Sequence, residues 1–148
     1  MAMKMLGEVE LPASRQEVWV RLNDPDVLRA CIPGCQSLEK TGDNGFKAVV
    51  KVKIGPVSAT FRGNVILGDL DPPNGYRISG EGEGGIAGFA KGGATVMLTD
   101  SGAGTKLAYD VDAQIGGKLA QLGSRLIDGV AKKLADEFFA KFAKACGG

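Results

Sequence analysis

Three cysteines, two tyrosines, a glycine-rich run and seventeen carboxylates are the groups in this sequence with chemistry to offer, and there is no histidine. The missing histidine removes a Ser-His-Asp or Cys-His catalytic unit, every His-ligated zinc site and the usual side chain titrating near neutrality. Cys31 and Cys35 enclose Ile32-Pro33-Gly34, a longer spacer than the two residues of metal hooks and redox motifs, and no second pair completes a thiolate shell. They read as two small buried side chains flanking the Pro33-Gly34 turn. No metal site and no cofactor are expected. Cys146 lies near a chain end and reads as an exposed free thiol. The run from Gly84 to Gly93 has the composition of a phosphate-cradling loop, but such a loop joins a strand to a helix N-terminus, and this one lies between strand patterns. It reads as a mobile hairpin or wide bulge. Phe89, its one large aromatic, is either a gate over a cavity mouth or a plain hydrophobic plug. The carboxylates alternate onto exterior positions, so no poised acid–base pair forms and no catalytic residue is expected. Tyr76 and Tyr109 fall on inward faces. Each is either a hydroxyl at a cavity wall or a core aromatic whose hydroxyl reaches a backbone group or water.

The elements that position these groups belong to a chain of 148 residues, 44% hydrophobic and 24% charged, with a formal charge of +1. That length reads as one soluble globular domain over residues 1–148, burying roughly 68–70% of the surface its unfolded chain exposes. The balanced charge argues against nucleic acid as a partner. No stretch approaches the roughly 18 consecutive apolar residues of a spanning helix. An odd number of thiols behind an alternating rather than apolar N-terminus points to a reducing, cytoplasmic setting.

Period-two alternation marks Met5, Gly7, Val9 and Leu11 as one face of a first strand, ended by Pro12. Ser14 stands three residues before Glu17, a capping-box spacing, and opens a short helix carrying Val18, Trp19 and Leu22. Asn23-Asp24-Pro25 starts a second short helix. From residue 35 to 116 β patterns alternate with turn signals, the rhythm of an antiparallel meander. Phe46, Ala48, Val50, Val52 and Ile54 face inward, as do Phe61, Gly63 and Val65. Tyr76, Ile78, Gly80 and Gly82 follow, then Ala94, Val96 and Leu98, then Leu107, Tyr109, Val111, Ala113 and Ile115. The remainder reads as one long amphipathic helix from about Lys118 to Lys144, with an apolar arc through Leu119, Leu122, Leu126, Ile127, Val130, Leu134, Phe138 and Phe142. A sheet with one apolar face must cover it, and this helix is the only element long enough. The fold class is therefore α+β in a helix-grip arrangement: a seven-stranded curved antiparallel sheet wrapped around a C-terminal helix, with two short helices between strands 1 and 2.

Five segments in this order resemble the CoxG family of carbon monoxide dehydrogenase subunits, within the START and birch-pollen-allergen-like (SRPBCC) superfamily. They are Leu22-Asn23-Asp24-Pro25, Cys31-Ile32-Pro33-Gly34-Cys35, Ile54-Gly55-Pro56-Val57, Ala87-Gly88-Phe89-Ala90-Lys91-Gly92 and the stretch from Gly116 to Arg125. The resemblance covers essentially the whole chain. It implies a helix-grip fold with a hydrophobic cavity, no catalytic activity, and association with a molybdenum-containing carbon monoxide dehydrogenase and the cytoplasmic membrane. Many members of the family continue into a C-terminal extension with a membrane-seeking end, whereas this sequence ends at Ala145-Cys146-Gly147-Gly148.

Glycine makes up 23 of 148 residues, about twice the usual ~7%. Gly63, Gly80 and Gly82 fall on the inward face, where each removes a side chain from the core. Either they open a cavity or they mark places where a curved sheet bends, and the two are compatible. The cavity is expected between Phe61, Gly63, Gly80, Gly82, Phe89 and Tyr109 of the sheet and Leu122, Leu126, Ile127 and Val130 of the helix. Its expected ligand is apolar, a quinone or lipid-like molecule. Electrons from a molybdenum hydroxylase must reach a membrane-dissolved quinone, and a protein with an apolar cavity can lift that quinone to the enzyme. Two other readings are a structural adaptor that docks the dehydrogenase to the membrane or to an assembly factor, and a cyclase or hydrolase of the same superfamily. The terminal helix leans cationic, and with Phe139 and Phe142 it offers either a solvated face or a weak peripheral contact with anionic headgroups.

Overall fold

Alternating side chains and closely spaced turns lay down a single seven-stranded antiparallel sheet in the order β1-β7-β6-β5-β4-β3-β2. The computed structural model describes residues 1–147; Gly148, the last residue of the domain read from the sequence, lies outside them. The strands are β1 (Ala2–Leu11), β2 (Cys35–Thr41), β3 (Gly45–Ile54), β4 (Val57–Asp71), β5 (Gly75–Glu83), β6 (Phe89–Ser101) and β7 (Gly104–Gly116). Strands β2 to β7 form a meander that ends beside β1, with Met5 opposite Val111. Two short helices, α1 (Arg15–Leu22) and α2 (Pro25–Cys31), carry the chain from one sheet edge to the other. Their starts have the expected chemistry. Ser14 accepts a hydrogen bond from the Glu17 amide at 3.3 Å, Asp24 accepts one from the Asp26 amide, and Pro25 occupies the first turn. Thr105, the one buried polar side chain among the described residues, donates to the Ala13 carbonyl at 2.7 Å and ties β7 to the corner between β1 and α1.

Two parts of the chain depart from the sequence reading. The long C-terminal helix is divided into α3 (Lys118–Gln121) and α4 (Ser124–Ala145). Gly123 between them has φ +90°, a left-handed conformation that suits only glycine and breaks the helical ladder. The glycine-rich run does hold the β5–β6 hairpin, but its loop is confined to Gly84–Gly88. A 3-10 turn spans Gly85–Ala87, and from Phe89 onward the run is already strand β6, hydrogen-bonded to β5 on one side and β7 on the other.

Side chains pack densely at both ends of the sheet and sparsely between. At one end α1, α2 and the last turns of α4 enclose Leu11, Val18, Leu38, Phe46, Leu107 and Phe142. Ile115, Leu119 and Ile127 close the other end. Between these clusters the inward residues Val50, Val52, Phe61, Ala94 and Val111 are only half-buried. The helix α4 makes its close approaches to β1, β3 and α2, so the sheet grips it from both edges and falls away beneath it.

Candidate functional site

Strand register explains where the space lies. Across the inward face, Tyr76, Val96 and Tyr109 form one cross-strand row, and Leu67, Ile78, Ala94 and Val111 form the next. One step further the row is Val65, Gly80, Gly92 and Ala113, and then Gly63, Gly82, Ala90 and Ile115. Side-chain bulk on β5 and β6 thus shrinks in steps from an aromatic and valine to glycine and alanine, while α4 runs above at the height set by the bulky rows. A hollow follows from that taper.

The hollow has two adjoining chambers that share Ala90 and Ala113. The covered chamber, about 250 Å³, is bounded by Met3, Val52, Ile54, Phe61, Ile115, Leu119, Ile127, Val130, Ala131 and Leu134, and no polar atom faces it. The second, about 320 Å³ and more open, is floored by Gly80, Gly82, Gly92 and Ala94 and walled by Val65, Ile78 and Val111, and the charged Glu81 and Lys91 also line it. The glycines divide between the two roles offered for them. A Cβ on Gly63 would lie 2.9 Å from the Glu81 carbonyl, and one on Gly80 would lie 2.7 Å from the Asn64 carbonyl, so there glycine permits close strand approach. A Cβ on Gly82 would meet its nearest atom, the Arg62 carbonyl oxygen, at an ordinary 3.7 Å. Gly82 leaves space that the backbone does not demand.

Of the residues expected to surround the ligand, Phe61, Ile127 and Val130 border the covered chamber and Gly80 and Gly82 the open one. Gly63 lies beside Gly82 on the sheet but borders neither. Tyr109 is occupied elsewhere: its ring stacks on Phe139 with centroids 5.3 Å apart and covers Gly7. Leu126 packs toward the Gly55 turn, and Leu122 joins the cluster of Ile115, Leu119 and Ile127. Phe89 corrects both readings offered for it. Because Ala90 pairs with Ile115 on the inner face, Phe89 must pair with Gly116 on the outer one, where it lies over the glycine and is 44% exposed. It neither gates the hollow nor plugs the core. Ala90, Ala113, Met3, Leu119 and Leu134 are wall residues that the sequence reading does not assign to the cavity. Alternation places Ala113 inward, but a glycine-rich run with the look of a loop conceals the parity of Ala90.

Tyr76 resolves as a core aromatic, edge-on to Trp19 at 5.3 Å, and burial pushes its hydroxyl pKa upward. Cys146 is not an exposed thiol: the end of α4 turns into the core and leaves it 5% exposed, in the same cluster as the buried Cys31. Cys35 is half-buried and donates to the Ser37 carbonyl at 3.3 Å. Burial raises the pKa of all three thiols. Native protein at neutral pH therefore modifies slowly with iodoacetamide at Cys31 and Cys146, and all three react at once in denaturant. Peptide mass spectrometry reads the difference, and rapid labelling of native Cys146 would contradict its burial. The same shifts set a stability slope. A folded-state pKa raised above the unfolded one keeps protons that the unfolded chain releases, so stability is full below the ordinary thiol value of 9.0 and falls as pH rises above it.

Among the described residues no group of His, Cys, Asp and Glu side chains is placed to hold a metal ion, and no helix is long and apolar enough to cross a membrane. Phe142 is wholly buried and does not serve the headgroup contact read from the terminal helix, and Phe139 is half-buried and stacked on Tyr109. The exposed apolar side chains lie elsewhere. Ile86, at the tip of the 3-10 turn, is 85% exposed, and Leu6 and Met97 stand out from the convex face of the sheet.

A curved sheet gripping a terminal helix over an apolar hollow defines a helix-grip protein of the birch-pollen-allergen-like class. Within that class the chain belongs to the CoxG family of carbon monoxide dehydrogenase subunits, whose model matches residues 7–147. No curated protein sequence matches it. A conserved protein from Geobacillus kaustophilus is 36% identical and superposes with a TM-score of 0.92, over 98% of this chain and 95% of that one. The Zhui aromatase/cyclase from Streptomyces sp. R1128 shares 12% identity with a TM-score of 0.73, covering 99% of this chain and 94% of that one. Ara h 8.0201 shares 15% identity with a TM-score of 0.65, over 100% of both chains. At those identities the last two show the fold alone.

Proposed function

We propose that the protein is a non-enzymatic carrier that holds a lipophilic molecule, a quinone, in the hollow between sheet and α4. It works in the cytoplasm as an accessory of a molybdenum-containing carbon monoxide dehydrogenase, moving the quinone between the inner face of the membrane and the enzyme. The observation that carries this reading is the chamber beneath α4, lined by aliphatic and aromatic side chains with no polar atom facing it. An apolar hollow of this kind gains by taking a ligand's apolar surface, and its own, out of water. The family supplies the partner. Cyclase chemistry needs an acid or base at the ligand, and the wall of the covered chamber offers neither. The Ile86 tip gives the protein an apolar, uncharged point with which to touch a bilayer during exchange.

The experiment is extraction. Vesicles containing a menaquinone are incubated with the protein and removed by sedimentation, and quinone in the supernatant is assayed by absorbance. The expected result is a saturable one-to-one transfer, slowed at least threefold by Ile86→Glu with the final extent unchanged. Absence of transfer would refute the carrier. The adaptor reading draws on the exposed Leu6 and Met97, which suit a docked protein. It is the one left standing if the protein binds the dehydrogenase yet extracts nothing.

A further inference from the structure

The two chambers differ in chemistry in a way that assigns the two ends of a ligand. In the covered chamber the walls are branched aliphatic side chains, Phe61 and alanine, and no donor or acceptor is present. The strands beneath are joined by the sheet ladder, except on the β5 side of β4 at Phe61, where the pairing has ended. A carbonyl placed there would surrender its hydrogen bonds to water and find no replacement. The open chamber is different. Gly80, Gly82 and Gly92 raise no side chain from its floor, which is therefore bare backbone, Glu81 and Lys91 also line the chamber, and Gly92 is exposed. A planar ring can lie on such a floor with its polar edge still reached by water. Ala90 and Ala113, the residues the chambers share, are small enough to leave the passage between them open.

From this asymmetry, and resting on the carrier reading above, we infer that the hollow takes its ligand tail first. A branched hydrocarbon tail fills the covered chamber beneath Val130 and Leu134, and a planar polar headgroup lies on the glycine floor of the open chamber. The ligand class is thereby narrowed to molecules with a flat polar ring joined to an isoprenoid-like chain. The ring is the end held nearer to solvent and to any electron-transfer partner.

The test uses the full chain and three probes in competition titrations: menadione, which is a ring without a tail; a menaquinone with two isoprene units; and farnesane, a branched hydrocarbon without a ring. In wild type the tailed quinone is expected to bind at least tenfold more tightly than menadione, and farnesane to compete with it. Val130→Phe, which narrows the covered chamber, weakens the tailed quinone and farnesane at least tenfold and menadione less than twofold. Gly82→Leu, which fills the floor, weakens menadione and the tailed quinone and spares farnesane. Menadione binding as tightly as the tailed quinone in wild type would overturn the orientation without any variant having to fold. So would equal weakening of all three probes by Val130→Phe. Failure of every probe to bind wild type refutes the carrier reading itself and the orientation with it.

Discussion

Replacing Phe142 by alanine lowers the free energy of unfolding by about 3–5 kcal/mol. The phenyl ring is 0% exposed and stacks on Phe138 with centroids 5.6 Å apart. It belongs to the cluster in which α4 meets Leu11, Val18, Leu22 and Cys31, so its removal opens a void shared by β1, both short helices and the last turns of α4. Against a total stability of about 5–15 kcal/mol for an ordinary domain, that is a large share. Leu134→Ala provides the contrast. Leu134 faces the covered chamber, where one side of its chain already lacks packing partners, and its loss falls near the lower end of the range for buried leucine, about 2 kcal/mol. Denaturant titration of both variants measures the difference. A cost for Phe142→Ala below that of Leu134→Ala would mean that the dense core and the hollow have been assigned to the wrong ends of the sheet.

Filling the hollow is expected to separate binding from stability. Gly82→Leu and Val130→Phe each reduce affinity for a tailed quinone at least tenfold, which is about 1.4 kcal/mol. Each changes the unfolding free energy by less than about 1 kcal/mol, whereas extra methylenes forced into a packed core cost about 1–3 kcal/mol. Gly82 is absent from the glycines with positive φ, and its Cβ position is 3.7 Å from the nearest atom, so a side chain enters without backbone strain. The Val130 position differs in element, backbone and neighbours, so the two variants fail for unrelated reasons if they fail. Stability lost in both, with binding retained, would show that the ligand lies elsewhere.

Much of this architecture can be read from the residues because β periodicity and turn chemistry act locally. The alternation of Phe46 to Ile54 and of Leu107 to Ile115 gives the inward face directly, and Ser14 and Pro25 announce both short helices. What local pattern cannot supply is cross-strand register. Phe89 and Ala90 are adjacent in sequence, and only pairing with β7 decides which faces the hollow. The same holds for Tyr109, which alternation places inward correctly but which Phe139 then occupies. Gly123 carries a legible signal, since a glycine just before a serine is a natural helix break, but the strong apolar arc on either side of it favours continuity. Cys146 is buried because the helix end packs against α2, a tertiary fact with no local signature.

Native mass spectrometry of the purified protein, followed by solvent extraction and identification of whatever is released, tests the central claim most directly. The account predicts a one-to-one complex of the 15.3 kDa chain with an apolar molecule bearing a quinone ring. That complex should be lost on heptane extraction, restored by added menaquinone, and absent from Val130→Phe. A chain that flies bare, and stays bare when titrated with menaquinone and other apolar ligands, would contradict it.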